Sequence, residues 1–294
     1  MLNIDEFLDY IRYEQNRSER TVESYSEDLH AFQQYFKNLS DSLSWETVDA
    51  DIIRNWMESM VDKGNKVSSV SRRLSAVKTF YRYALMKHQV KSDPAHGVLT
   101  PKKEKPLPQF LRESEMDDLL DRQRWGDDYD DVRARTIIMT FYETGIRLSE
   151  LVGLDDKSVD FENRQIKVLG KGDKERIVPF GKELELALRS YVVNRNKSVD
   201  RKCSAFFLTD KGKRMGGAAV REIVRGKLSS VCSLKKKSPH VLRHTFATAM
   251  LNHDVGIETL KRLLGHASLS TTEIYTHTTF EQLKRVYTEA HPRA

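Results

Sequence analysis

The stretch SPHVLRHTFATAML at 238–251 reads as the opening of a helix with charged and titratable groups at its front. Ser238 is a natural N-cap, and Pro239 suits the first helical position. His240 and Arg243, three residues apart, then share one face of the first turns. The free N–H groups and the dipole of such an end already favour a phosphate. Taken alone, a His-x-x-Arg pair fits a surface pair as well as a site. The cap and the run that follows make it more specific. His244 is expected to pack or hydrogen-bond inside the domain.

Three other segments carry groups of the same chemistry. In ETGIRLSEL at 143–151, Gly145 reads as the stop of an apolar helix over 135–142, so Arg147 emerges at a tight turn. Its planar fork can grip two phosphate oxygens and stays charged. Glu150, one turn later, either orients that guanidinium or serves as an ordinary acid at a helix start. In GKGDKERIVPF at 170–180, Lys171 sits between glycines at a hairpin tip, where it either reaches into a cleft or is simply solvated. The GxxxxGK[ST] phosphate loop is absent. In LLGHASLSTTEIYTH at 263–277, Gly265 ends an apolar stripe of Ile257, Leu260, Leu263 and Leu264, so His266 follows a helix stop. Ser270 and Glu273 form a capping-box signature that places Tyr275 early in a short helix. A tyrosine hydroxyl, with a pKa near 10, attacks phosphorus at neutral pH only with a base or a strongly positive site at hand.

Arg147, Lys171, His240, Arg243, His266 and Tyr275 together supply two guanidiniums, an ammonium, two imidazoles and a phenol. They contain no carboxylate pair and no metal-ligand cluster. That set suits attack on a phosphodiester by a tyrosine, with stabilisation of the negative charge that develops.

The chain of 294 residues is long enough for two domains with separate cores. No apolar run approaches the roughly 20 residues that span a membrane, and the acidic start MLNIDEFLDY lacks a signal-peptide layout. A cytoplasmic protein with no membrane partner is expected. Cys203 and Cys232 are the only cysteines, which fits a reducing compartment. Charge is unevenly spread. Residues 1–62 hold 5 Lys/Arg against 14 Asp/Glu, whereas residues 63–105 hold 11 against 2. The pattern fits either a small domain that turns a basic face to a polyanion or a solvated helix followed by a linker.

Apolar spacing predicts helices over 3–14, 21–38, 49–62 and 67–87. The fourth places Val70, Leu74, Val77, Tyr81 and Ala84 on one face. Arg72, Arg73 and Arg82 lie mostly away from that face, with Lys78 at its edge. These four and Lys102 and Lys103 are the expected DNA contacts, unless the helix is an ordinary surface one. The stretch 92–108 holds four of the seven prolines and cannot be a regular helix. The expected division is therefore a helical domain over 1–91, a basic proline-rich linker over 92–113 and a second domain over 114–294. The second domain is not wholly helical. Ile166, Val168, Ile177 and Val178 flank a hairpin turn at 170–172, and 205–209 is a candidate for another short strand.

In their settings and order these segments resemble the tyrosine recombinases, closely the Xer type (XerC/XerD-like). The resemblance runs through Thr21 and Tyr25, SSVSRRLSAVKTFYRYAL, the Asp93–Ala95 turn and the terminal HPRA, and all six active-site positions are filled. It implies a mainly α fold with a small β-hairpin or sheet. It also implies a two-domain C-shaped DNA clamp, made of a SAM-like core-binding domain and a catalytic domain. It implies that Tyr275 forms a 3′-phosphotyrosyl bond and releases a 5′-hydroxyl. Arg147, Arg243 and His266 would stabilise the phosphorane, His240 act as acid and base, and Lys171 protonate the leaving oxygen. No metal, ATP or other cofactor is implied. The implied partners are a double-stranded recombination site, sister subunits of a tetramer, a paralogous recombinase and a DNA translocase as candidate activator. The task would be resolution of chromosome or plasmid dimers. A phage or transposon integrase and a type IB topoisomerase are the alternatives. An architectural DNA-binding protein without activity is disfavoured by the filled site. The last segment, FEQLKRVYTEAHPRA, has Phe280, Leu283 and Tyr287 at helical spacing. As in relatives it would dock on a neighbouring subunit, the alternative being its own domain.

Overall fold

The computed structural model describes residues 2–101, 109–122, 125–170, 174–265 and 277–293, with the backbone alone at 122 and 277–283. The chain divides into two compact units, Met1–Pro106 and Leu107–Ala294.

The first unit is built from α1 (Ile4–Asp9, continued by one wider turn over Tyr10–Glu14), α2 (Glu19–Leu39), α3 (Ala50–Asp62) and α4 (Val67–Met86). Each falls where the apolar spacing puts it. Asn3 and Asp49 cap α1 and α3 by accepting backbone N–H bonds. Val70, Leu74, Val77, Tyr81 and Ala84 of α4 are buried against Phe7, Leu29, Phe32, Phe36 and Trp56. Trp45, from the loop before α3, closes the core edge-on to Phe36 at 5.2 Å and tilted on Phe80 at 4.5 Å. Val61, at the end of the α3 stripe, is exposed instead.

Two features qualify the basic strip. Ala95 and Val98, within the proline-rich stretch, are buried in this core. Ordered structure of the first unit therefore continues past the end of α4. Moreover, Arg72 donates to Asp28, Arg73 lies 3.6 Å from the same buried carboxylate, and Lys78 Nζ donates to the Val98 carbonyl at 2.6 Å. These three cations are tied within the unit, although Arg72 remains exposed, and Arg82 is exposed too. Lys102 and Lys103 lie outside the described residues.

The second unit comprises α5 (Glu113–Asp117), α6 (Tyr129–Thr144), α7 (Leu148–Gly153), α8 (Lys182–Ser198), α9 (Gly217–Ser229), α10 (Pro239–Asn252), α11 (Ile257–Leu264) and α12 (His277–Ala290). It also holds a small antiparallel sheet of β1 (Val159–Asp160), β2 (Gln165–Leu169) and β3 (Glu175–Pro179) in that order. The fold is mainly α with a small sheet. Helix α6 is buried on every side from Thr136 to Thr144 and is the axis on which α8 and α10 pack.

The hairpin pairs Ile166 with Val178 and Val168 with Arg176. Ile177 and Val178 are adjacent, so they cannot both face the core. Val178 and Arg176 point inward and Ile177 outward. Residues 205–209 do not form a strand of this sheet. They make only isolated bridges, Asp155 to Ala205 and Leu208 to Arg214, because their other neighbours are side chains of α6 and α8. The third strand is the two-residue β1, too short to show a period in sequence.

The described part of the carboxyl-terminal segment makes contacts within its own unit. Tyr287 is buried in its own unit, its hydroxyl 3.5 Å from Glu143 Oε2. Burial, then the charge of Glu183, push Glu143 up to about 8, which favours its protonated form near neutral pH beside that phenol. His291 stacks on Tyr287 and Phe246, and Arg293 donates to Asp117, Asp121 and Glu183. The last turn and the terminal HPR thus pack on their own unit in this chain. The side chains of Phe280 and Leu283 lie outside the described residues.

Candidate active site

Two left-handed glycines set the frame. Gly145, at φ +58°, ends α6, and a Cβ there would come within 2.4 Å of Phe246. Gly265, at φ +62°, ends α11, and a Cβ there would lie 3.0 Å from Arg176. Both stops are where the sequence puts them, because only glycine adopts this conformation without cost in so little room. Ile257, the first residue of the α11 stripe, is nevertheless exposed.

Arg147 is the N-cap residue of α7. Its backbone N–H donates to Glu150 Oε2 at 2.7 Å, its Nη1 to Glu150 Oε1 at 2.8 Å and its Nη2 to the Gly265 carbonyl at 3.0 Å. Both readings of Glu150 therefore hold at once. It closes the helix start and it orients the guanidinium.

Arg243, on α10, reaches the same place from the other side. Its Nη1 donates to the Gly145 carbonyl and its Nη2 to the Leu264 carbonyl at 2.8 Å. Burial, and then the neighbouring charges of Arg147 and Arg176, lower its pKa to about 10, only partly offset by Glu150. It remains charged at neutral pH.

His240 occupies the first turn of α10, one turn before Arg243, and is exposed. Partial burial, then the charges of His244, Arg243 and Arg221, hold its pKa below the usual imidazole value, which favours the neutral ring at pH 7. Ser238 stands at the N-cap position but its hydroxyl makes no capping bond. His244 is exposed, contrary to the expected packed position, because it falls on the side of α10 opposite Thr245 and Phe246.

Arg147 and Arg243 are thus brought together at the end of α11, with His240 one turn before Arg243 on α10. Lys171, His266 and Tyr275 lie outside the described residues. The hairpin that carries Lys171 is closed by Gly170 N–H to the Lys174 carbonyl at 2.8 Å. Among the described residues, no group of three or more His, Cys, Asp or Glu side chains is placed to hold a metal ion, and no helix is long and apolar enough to cross a membrane.

The reading of the sequence missed Arg176. Almost fully buried on β3, it donates from Nη1 and Nη2 to the two oxygens of Glu150 at 2.6 and 2.9 Å, and from Nε to the Leu263 carbonyl at 3.2 Å. Its signal was available: an arginine at the inward phase of a strand demands a buried partner. Burial alone would raise the Glu150 carboxyl, but the hydrogen bonds and charge of Arg176, and then Arg147, hold it down at about 2.

A pH-dependent stability follows. Glu150 has a folded pKa of about 2 against an ordinary value of 4.5, so its contribution is complete above pH 4.5 and is lost as pH falls toward 2. Glu150→Gln is expected to cost about 3 kcal/mol at pH 7, because it leaves a buried guanidinium without its counter-charge. Thermal unfolding of both proteins from pH 7 to 2 checks this. The gap between them should close below pH 4.5, and a gap that is constant with pH would refute the ion-pair account.

The chain matches the family model "Phage integrase family" over residues 109–282 and "Phage integrase, N-terminal SAM-like domain" over residues 4–88. It is 37% identical to tyrosine recombinase XerC of Chlorobaculum tepidum over 317 aligned positions, covering 99% of this chain and 94% of that one. It is also 37% identical to tyrosine recombinase XerC of Staphylococcus aureus (strain JH9) over 288 positions, covering 98% and 96%. A solved structure of the XerH site-specific recombinase bound to palindromic difH substrate, a post-cleavage complex, shares the fold. Its TM-score is 0.70 at 22% identity, covering 97% of this chain and 84% of that one. By the family match over most of its length and by these whole-chain likenesses, this chain belongs to the tyrosine recombinase (phage integrase) family.

Proposed function

We propose that this chain is a site-specific recombinase of the Xer type, one that resolves chromosome or plasmid dimers. The observation that carries the reading is the convergence of Arg147 and Arg243 on successive carbonyls at the end of α11, two residues or fewer before His266 in sequence. Two guanidiniums fixed beside the segment that leads to Tyr275 form a charged seat for a phosphodiester. The whole-length likeness to proteins called tyrosine recombinase XerC supports the Xer assignment over an integrase.

On this reading Tyr275 attacks the scissile phosphorus and forms a 3′-phosphotyrosyl ester, and the 5′-oxygen leaves with a proton from Lys171. Arg147, Arg243 and His266 stabilise the charge on the non-bridging oxygens. His240, held largely neutral, accepts and returns the proton of the nucleophile. The ester bond is conserved, so the 5′-hydroxyl of a second strand can reverse the step without ATP. Arg72, Arg73, Lys78, Arg82, Lys102 and Lys103 are proposed to follow the DNA backbone. Arg82 is exposed, and Arg72, Arg73 and Lys78 would have to share their charge with the internal partners noted above. The proposed assembly is a tetramer on two sites, with a paralogous recombinase and a DNA translocase as candidate partners.

The test uses a nicked DNA that carries a candidate dimer-resolution site, in buffer with EDTA. A covalent protein–DNA species resistant to denaturation, with the attached nucleotide mapped to the peptide containing Tyr275, is the expected result. Strand exchange between two such sites then supports the recombinase. Relaxation of supercoils without exchange would point to a topoisomerase, and tight binding without any covalent species would refute the reading.

A further inference from the structure

Arg176 joins three segments that are far apart in sequence. It belongs to the hairpin that carries Lys171, it grips Glu150 of α7, and it donates to Leu263 at the end of α11. The turn glycines on two sides close upon it. A Cβ at Gly265 would lie 3.0 Å from its Cδ and Nε, and one at Gly170 would lie 3.8 Å from its Nη1.

Arg147 has two side-chain supports in this structure, Glu150 and the Gly265 carbonyl. Arg176 holds both: the carboxylate directly, and the end of α11 through the carbonyl two residues earlier. A buried ion pair of this kind is a poor source of stability compared with apolar packing. What it supplies is geometry, because a guanidinium with all three of its nitrogens engaged fixes the direction of each partner.

We propose that Arg176 is a positioning residue, which aims the Arg147 guanidinium at the scissile phosphate through Glu150 and sets where the chain leaves α11 toward His266. It is buried and does not touch DNA, so it acts through Arg147. The proposal rests on the functional reading above. Lysine cannot replace it, because one ammonium cannot make the paired bonds to Glu150 and also reach Leu263.

The experiment compares wild type with Arg176→Lys and Arg176→Gln by two readouts. The first is single-turnover strand cleavage on nicked DNA, with either a normal phosphate or an uncharged methylphosphonate at the scissile position. Misaiming Arg147 is expected to slow cleavage of the phosphate about 10²-fold in both variants, with DNA affinity within about threefold of wild type. With the methylphosphonate the loss should be less than about tenfold, because the charge that Arg147 balances is gone. Equal losses on both substrates, or no loss on the phosphate, would overturn the proposal.

The second readout needs no activity: exchange of the Arg147 side-chain N–H protons with solvent in the free protein, followed by nitrogen-15 NMR. Exchange at least about tenfold faster in Arg176→Gln is expected, and unchanged exchange would overturn the proposal. If wild type cleaves no DNA at all, the functional reading fails, and the exchange result decides the positioning role by itself.

Discussion

Tyr275→Phe is expected to abolish covalent attachment to DNA, lowering its rate by at least about 10⁴-fold, while affinity for the same DNA stays within about twofold. The substitution removes one oxygen and keeps the ring, so the shape of the segment is preserved. That oxygen is the proposed attacking atom. A phenol with a pKa near 10 is a weak nucleophile in water. On the proposed reading, the positive charge of Arg147 and Arg243 would favour both its ionised form and the phosphorane it generates. No rearrangement of the remaining groups supplies a substitute, because arginine does not deprotonate and a histidine adduct would need a different line of attack. The measurement is a denaturing gel of wild type and variant on nicked DNA. An adduct that persists in the variant would mean that another of the eleven tyrosines is the nucleophile.

Arg243→Ala is expected to lower the rate of adduct formation by about 10²–10³-fold, the usual cost of losing one preorganised donor to a developing oxyanion. Its effect on stability should be far smaller, for a reason visible in the site. The fold lowers the Arg243 pKa well below the usual guanidinium value, to about 10, chiefly by burial and by the like charge of Arg147. Keeping that charge in place therefore costs about 3 kcal/mol. Against this stand the bonds to the Gly145 and Leu264 carbonyls, each worth about 1–3 kcal/mol when the donor is charged. The two nearly offset. A large loss of rate with a shift of only a few degrees in Tm is the expected signature, read by single-turnover cleavage and thermal unfolding of one sample. A rate within tenfold of wild type would remove Arg243 from the reaction.

Most of the helical framework was legible because its determinants are local. The stripes of α2 and α4 repeat at helical spacing, and Gly145 and Gly265 end helices through their own backbone freedom. The departures come from contacts that no local pattern encodes. Val61 and Ile257 continue apolar stripes but end exposed, since nothing among the described residues covers them. Tyr287 is buried by Glu143, 144 positions away, so the fate of the last segment could not be read from its amphipathic spacing. In the site, the residue types and their order marked Arg147, His240 and Arg243. What they could not mark was that α11 is the common anchor of two of them, or that Glu150 serves two arginines.

That anchor has a consequence for how the site grades its ligands. Leu263, Leu264 and Gly265 each receive a bond from a different arginine, namely 176, 243 and 147. These carbonyl dipoles are weaker partners for a guanidinium than the Glu150 carboxylate that also holds Arg147. A diester oxygen with a shared single charge gains little by drawing Arg147 and Arg243 away from such partners. A phosphorane, carrying about twice that charge, gains considerably more. On the proposed reading, the end of α11 would act as a soft counterweight, so that the pull on the phosphate rises most steeply at the top of the barrier. It would also let a rejoined strand depart easily, which a reaction run forward and backward at nearly equal energy requires.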